Sequence, residues 1–278
     1  MQPRIAIPIP TTTDLAYNQR SWPMYASAIR NSGGEPVEVP LTLNPTELRT
    51  LLATTHGVLL PGSPADVDPT RYGTEIDPAT APADLARETT DDILLNDAIR
   101  HGKPVLGVCY GVQSMNVWRG GSLVQDITPL PVNHSAGASV AIAHTAIIAK
   151  ESLLATLVDP SEATDDGDFL RLPINTSHHQ AAAAPGTGLR IVARCPDDGV
   201  IEALELDPAM FHVEHSEDDK TQTFHVEHSQ FLLGVQWHPE RSYDISPTSR
   251  NLFHHLVTEA AKLTTIADLA TTPVAKLG

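Results

Sequence analysis

Cysteine, aromatic side chains and positive charge are all scarce in this chain of 278 residues. Two cysteines, Cys109 and Cys195, are too few for a disulfide framework, and neither has a second cysteine at metal-ligand spacing. That leaves room for one of them to serve as a reactive thiol. Lys and Arg together number 18 against 34 Asp and Glu, a formal charge of -16. Such a surface repels phosphate backbones and anionic lipid alike, so nucleic acid and membranes are poor partners. No run approaches the roughly 20 apolar residues of a membrane span. The first ten residues read as an apolar strand without a basic flank or a cleavage signal, and the expected location is cytoplasmic.

What is present is enough apolar material, 41% of the chain, to bury a full core. Short β-rich runs alternate with longer amphipathic stretches in the first half, which is the rhythm of βαβ units. Strands are expected at Arg4–Pro8, Pro36–Val39, Gly57–Leu60 and Pro104–Val108, and helices at Gln19–Asn31, Pro45–Ala53 and Ala83–Arg100. Gly33-Gly34 and Gly102 stand where helices should end. After Gly121 the pattern turns to strands, at Ser139–Ala149, Arg190–Ala193, Val200–Leu206 and Phe231–Trp237, followed by a helix from Pro247 to about Lys262. The fold class this implies is α/β: a mostly parallel sheet flanked by helices in three layers, with antiparallel strands in the second half. Residues 1–263 are expected to form one domain and residues 264–278 a loosely docked tail.

One hexapeptide occurs twice. Phe211-His212-Val213-Glu214-His215-Ser216 returns as Phe224-His225-Val226-Glu227-His228-Ser229, with the charge run Glu217-Asp218-Asp219-Lys220 between the copies. Residues 208–230 therefore read as a duplicated surface insert between two strands that could pair as a hairpin. Its histidines are three apart, but the spacing is not H-E-x-x-H and no metal role is assigned to it.

Two motifs carry chemistry. The apolar run Pro104–Val108 enters Cys109, and Tyr110-Gly111 leads into a helical stretch, so Gly107 and Gly111 bracket the cysteine as G-x-C-x-G. This is the spacing of a nucleophile elbow, a sharp strand-to-helix turn that lifts the side chain off the sheet. A helix N-terminus beneath the thiol favours the thiolate. Alone, the motif is equally a buried cysteine between glycines. The second motif is His238-Pro239-Glu240 at the end of an apolar strand. Pro239 holds His238 extended, so His238 and Glu240 can project to one side. An imidazole that deprotonates Cys109 and a carboxylate that orients it make a Cys-His-Glu triad. The turn Leu60-Pro61-Gly62-Ser63-Pro64 could supply an oxyanion donor at the same sheet edge, with the Gly62 amide facing that of Tyr110.

These motifs, with Asn116, Gly120-Gly121-Ser122-Leu123, Asn175, Ser177-His178-His179-Gln180 and Asp198-Gly199-Val200-Ile201-Glu202, resemble the class I glutamine amidotransferase-like family. Within it the chain is most similar to the γ-glutamyl-γ-aminobutyrate hydrolase branch, over residues 4 to 262. The resemblance implies a flavodoxin-like sheet and hydrolysis of a γ-glutamyl amide through a cysteine thioester. Cys109 would attack, His238 would move the proton, Glu240 would support it, and the amides of Gly62 and Tyr110 would hold the oxyanion. Gln113, Ser177, His178 and His179 would bind the glutamyl group. The branch commonly has arginine after the nucleophile where this chain has Tyr110, which leaves the amine half of the substrate open.

No metal or organic cofactor is required by this chemistry. The partner is a small γ-glutamyl substrate, and a homodimer is compatible with the sequence. Two other readings stand beside the hydrolase: a glutaminase subunit feeding ammonia to a separate synthetase, and a non-catalytic binding member of the fold. Cys195 reads as a buried or loop thiol, and Asp66, Asp68, Glu88 and Asp91 read as surface charges.

Overall fold

Four short runs of four or five residues set the centre of the molecule, and all but the edge run are apolar and buried on both faces. In the computed structural model, which describes residues 2–129, 131–211 and 230–271, these runs are β1 (Arg4–Pro8), β2 (Glu35–Val39), β3 (Gly57–Leu60) and β4 (Val105–Val108). They alternate with α1 (Leu15–Asn31), α2 (Pro45–Leu52) and α3 (Leu85–His101), and α4 (Tyr110–Trp118) follows β4. The second half contributes β5 (Ser122–Val124), β6 (His144–Ala149), α5 (Leu153–Leu157), β7 (Thr164–Asp166), β8 (Phe169–Ile174), β9 (Ala181–Ala184), β10 (Leu189–Arg194), β11 (Ile201–Leu206), β12 (Leu232–Val235) and α6 (Pro247–Thr271).

The main sheet has the order β2-β1-β3-β4-β12-β11-β10-β6-β8-β7. Pairing is parallel from β2 through β12 and antiparallel from there outward. Successive residues of a strand point to opposite faces, and both faces are covered here. Ile5, Ile7 and Leu59 pack toward α1 and α6 with Ile29, Phe253 and Leu256. Ala6, Val58 and Leu60 pack the other way, against Leu48, Leu52, Leu94 and Leu95 of α2 and α3. Burial on two faces is what makes parallel strands read as continuous apolar runs, and each such leucine or isoleucine contributes roughly 1.5–3 kcal/mol.

Local signals set the boundaries. Asn44 and Glu47 form a reciprocal capping box ahead of Pro45, and Gly102 ends α3 in the left-handed region at φ 65°. α1 begins at Leu15 rather than Gln19, because the Asp14 side chain accepts from the Tyr17 amide and caps an earlier turn. β6 starts at His144 rather than Ser139, and β12 spans Leu232–Val235 rather than Phe231–Trp237. The strands flanking the duplicated segment, β11 and β12, do pair antiparallel, with Leu204 opposite Gly234. Residues 212–229 of that segment lie outside the described residues. α6 continues to Thr271, so the expected tail is helical from 264 to 271, and residues 272–278 lie outside the description.

Glu88 and Asp91 are not surface charges. Both are buried, at 5% and 0% exposure: Glu88 accepts from the Asp68 amide (2.7 Å) beside Arg71, and Asp91 is held by Arg87, which points inward from α3. Its guanidinium donates to Asp91 Oδ1 (2.7 Å) and to the carbonyls of Pro10 (2.9 Å) and Pro61 (2.7 Å). A buried arginine with its donors matched in this way ties together the chain leaving β1 and β3. Asp66 is also buried, paired with His179 (Nε2 to Oδ2 3.1 Å).

Candidate active site

Register decides which residues meet. β4 and β12 run parallel with Val108 opposite Val235, and the Cys109 amide donates to the Val235 carbonyl at 2.9 Å. Cys109 and His238 therefore leave the same carboxyl edge on neighbouring strands. β3 lies on the other side of β4, with Leu60 opposite Gly107, so Pro61-Gly62 emerges at that edge too. Ligands of open α/β sheets bind there.

At Cys109 the chain turns from β4 into α4 with φ 52° and ψ -107°, and among the described residues it is the one non-glycine at positive φ. A side chain in this region is strained by about 1–3 kcal/mol. The bracketing glycines have a steric reason. A Cβ on Gly107 would sit 2.8 Å from the backbone of Gly111, and one on Gly111 would collide with the Leu60 carbonyl. The strand end and the helix start can be this close only without side chains.

His238 Nδ1 lies 2.8 Å from Glu240 Oε1, in a hydrogen bond that commits that nitrogen, and Nε2 has no hydrogen-bond partner among the described residues. It is the nitrogen available to the thiol. His238 is 1% exposed and Glu240 6%. Burial works against a charged ring, but the Glu240 carboxylate and then the Cys109 thiolate outweigh it and raise His238 to about 9. Burial likewise opposes ionisation of Glu240, and the imidazolium and Arg241 bring its carboxyl below the usual range. The arrangement stabilises an imidazolium beside a thiol, which is what nucleophilic attack and later protonation of a leaving amine require.

Four residues of this site were not singled out by the sequence reading. Asn175 clamps the backbone of His238, accepting from its amide at Oδ1 (2.8 Å) and donating from Nδ2 to its carbonyl (2.8 Å). Gln236 donates from Nε2 to Cys109 Sγ at 3.5 Å. Tyr25 on α1 accepts from the Gly62 amide through its hydroxyl at 3.1 Å, and burial followed by Glu240 pushes its ionisation well up. Tyr17, two turns earlier, is raised by burial and by Cys109. The signal for the two tyrosines was their eight-residue spacing on one helix face; Gln236 and Asn175 were visible only as parts of longer motifs.

The expected substrate residues separate into two groups. Gln113 is buried and both its amide hydrogens are used, on the Gln180 carbonyl (3.0 Å) and Gln236 Oε1 (3.2 Å). It props Gln236 against the sulfur. His178 is buried with Nδ1 on the Gln180 carbonyl (2.9 Å) and faces away toward Glu202. Ser177 and His179 are half-buried, and His179 pairs with Asp66. Of the two expected oxyanion donors, the Gly62 amide is occupied by Tyr25. The Tyr110 amide lies in the first turn of α4, where no intrahelical carbonyl reaches it. A Cβ on Gly62 would lie 3.2 Å from His238 Cε1, so this glycine walls the site directly.

A sequence model for the family described as Peptidase C26 matches residues 10–214. The chain belongs to the Peptidase C26 family. Gamma-glutamyl-gamma-aminobutyrate hydrolase of Escherichia coli O157:H7 is 30% identical over 243 residues, covering 84% of each chain. A Mycobacterium tuberculosis protein provisionally named a glutamine amidotransferase is 33% identical over 223 residues, 79% of this chain, which spans only 62% of that relative's length. Among solved structures, the glutaminase domain of CTPS from Trypanosoma brucei with bound acivicin has a TM-score of 0.55 at 14% identity, covering 94% of both chains. That likeness supports the flavodoxin-like fold. The family places this C26 chain among hydrolases of the class I glutamine amidotransferase type.

The tyrosine after the candidate nucleophile does not line the site. Tyr110 is 1% exposed, its ring is stacked by Arg87 (guanidinium carbon 4.7 Å from the centroid), and its hydroxyl has no hydrogen-bond partner among the described residues. Tyr110→Phe should therefore leave kcat unchanged and raise stability by up to about 1 kcal/mol, since it removes a buried polar group that is not hydrogen-bonded. Thermal melts and turnover of the two proteins check this. Asn175→Ala should act oppositely, lowering kcat by at least about tenfold with little change in KM, because it frees the strand end that aims His238. Steady-state kinetics separate the two constants.

Proposed function

We propose that this C26 hydrolase cleaves the γ-glutamyl amide bond of a small γ-glutamyl amine, such as γ-glutamyl-γ-aminobutyrate. The observation that carries the reading is the strained Cys109 elbow at the sheet edge beside the hydrogen-bonded His238–Glu240 pair. The Cys109 thiolate attacks the γ-carbonyl, and the carbon–nitrogen bond breaks as His238 passes its proton to the departing amine. A water that gives its proton to His238 then opens the thioester, releasing glutamate and the thiol. The Tyr110 amide is the ready oxyanion donor. The Gly62 amide joins it when a substrate oxygen displaces its bond to Tyr25. Ser177 and His179, the two half-exposed residues of their stretch, contact the glutamyl group, whereas Gln113 acts through Gln236.

The relatives' names support the substrate class, and no described helix is long and apolar enough to cross a membrane. The test is release of glutamate and amine from a panel of γ-glutamyl amides, glutamine included, with Cys109→Ala as the blank. Cleavage of a γ-glutamyl amine by the unmodified chain alone is the expected result. Cleavage of glutamine only, and only when a synthetase is added, would replace this reading with an ammonia-donating subunit.

A further inference from the structure

Glu202 lies on β11, fully buried, and its carbonyl accepts from the Gln236 amide at 2.8 Å. It is thus one strand away from the residue that touches Cys109. Three imidazoles surround its carboxylate. His144 Nε2 is 2.9 Å from Oε1, His134 Nδ1 is 3.4 Å from the same oxygen, and His178 Nε2 is 4.0 Å from it. All three histidines are buried, at 9%, 3% and 6% exposure.

The hydrogen bonds on the far side of two of these rings place one hydrogen on each. His134 Nε2 is 2.9 Å from Asp198 Oδ2, and His178 Nδ1 is 2.9 Å from the Gln180 carbonyl. Carboxylates and carbonyls only accept, so each of those nitrogens carries the hydrogen. In its neutral form each ring turns a lone pair, at His134 Nδ1 or His178 Nε2, toward a carboxylate. Neither nitrogen, nor Glu202 Oε2, has a hydrogen-bond partner among the described residues. Facing lone pairs in a dry interior repel unless a proton or a metal ion lies between them. One ligand atom from each of the three residues lies within 4.8 Å of the others.

We propose that His134, His178 and Glu202 form a buried site for a divalent transition-metal ion of the zinc class, with water in the fourth position. The donor set, two imidazole nitrogens and one carboxylate, suits zinc and not magnesium or calcium, which take oxygen ligands. Metal-bound histidines characteristically give their other N–H to a carboxylate or backbone carbonyl, and Asp198 and Gln180 already accept in that way. His144, donating to Oε1, orients the carboxylate as well. Tetrahedral zinc with bonds near 2.0–2.1 Å holds ligand atoms about 3.3 Å apart. The His134–Glu202 distance of 3.4 Å already fits, and the His178 ring must close by roughly 0.7 Å. The ion would offset the two buried carboxylates, Asp198 and Glu202, and fasten the loop before β9 to the central sheet.

The test uses the full chain, without an affinity tag, stripped with a chelator and titrated with Zn2+ or Co2+. Expected are uptake of about one ion per chain, retained on dialysis, and a rise in melting temperature of about 5 °C or more at a large excess over Kd. His178→Gln and Glu202→Gln should lose both effects. A variant lacking His212, His215, His225 and His228 should keep them. So should Cys195→Ser, which removes the sulfur of a neighbouring candidate set, His134, His144 and Cys195. Should the buried variants fail to fold, the Co2+ spectrum of the unmodified chain decides: tetrahedral ligand-field bands without a thiolate charge-transfer band are expected. No retained ion, uptake abolished in the insert variant, or a thiolate band would each overturn the proposal.

Discussion

Replacing Cys109 by alanine is expected to lower amide hydrolysis by on the order of 10^4-fold or more while the chain still folds. The size follows from the proposed role: without the thiol no thioester can form, and a triad acts as a unit whose members are not additive. The same position allows a stability measurement that a buried structural cysteine would not. With φ 52° and ψ -107°, alanine keeps the Cβ strain and glycine removes it. Cys109→Gly should therefore be inactive like Cys109→Ala yet more stable than it by about 1 kcal/mol, after the extra chain entropy of glycine is set against the relieved strain. Equal melting temperatures for the two variants would remove the strained elbow from the account, and retained turnover in either would remove the nucleophile.

Glu240→Gln should reshape the pH dependence as well as slow the reaction. His238 stands at about 9 in the folded chain against an ordinary value of 6.5, with burial opposing the shift and Glu240 the leading cause of it. A folded value above the unfolded one means that the stabilising effect is fully present below about pH 6.5 and is lost as the pH rises through 9. Protonation of the leaving amine also needs the imidazolium, so turnover should fall along a limb near pH 9 in the unmodified enzyme. Without the carboxylate the ring is left with burial, which disfavours its charge, and with the thiolate alone to offset it. The limb should move to lower pH by about one unit or more, and turnover near neutrality should drop by roughly 10^2- to 10^4-fold. Superimposable profiles for the two proteins would show that Glu240 does not hold the histidine charged.

The first half of the chain was legible almost element by element. β1, β3 and β4 lie in the parallel part of the sheet and are buried on both faces, so hydrophobicity marks them without any alternation. Outside the parallel strands, in the antiparallel half of the main sheet and in the separate β5–β9 pair, the signal fades. β9 is four alanines, and β7 is Thr-Asp-Asp, exposed at every position on the sheet's last edge. Pairing with neighbours, not propensity, makes these segments strands. Glu88 and Asp91 were read as surface charges because a helix of alternating charge looks solvated. An inward Arg87 with carbonyls to meet it cannot be seen from spacing.

By itself the sequence determined the alternation of strands and helices, the glycine-bracketed turn at Cys109 and the extended His238-Pro239-Glu240 segment. These depend on neighbours within a few residues, where sterics and backbone preference act directly. Only the tertiary structure decided that Tyr25 holds the Gly62 amide, that Asn175 grips His238, that Gln113 works through Gln236, and that His134, His178 and Glu202 converge. Those contacts join residues far apart in the chain, by 37 positions in the Tyr25–Gly62 bond and 63 in the Asn175–His238 bond. No local periodicity encodes such distances; the register of β12 beside β4 and of β11 beside β12 imposes them.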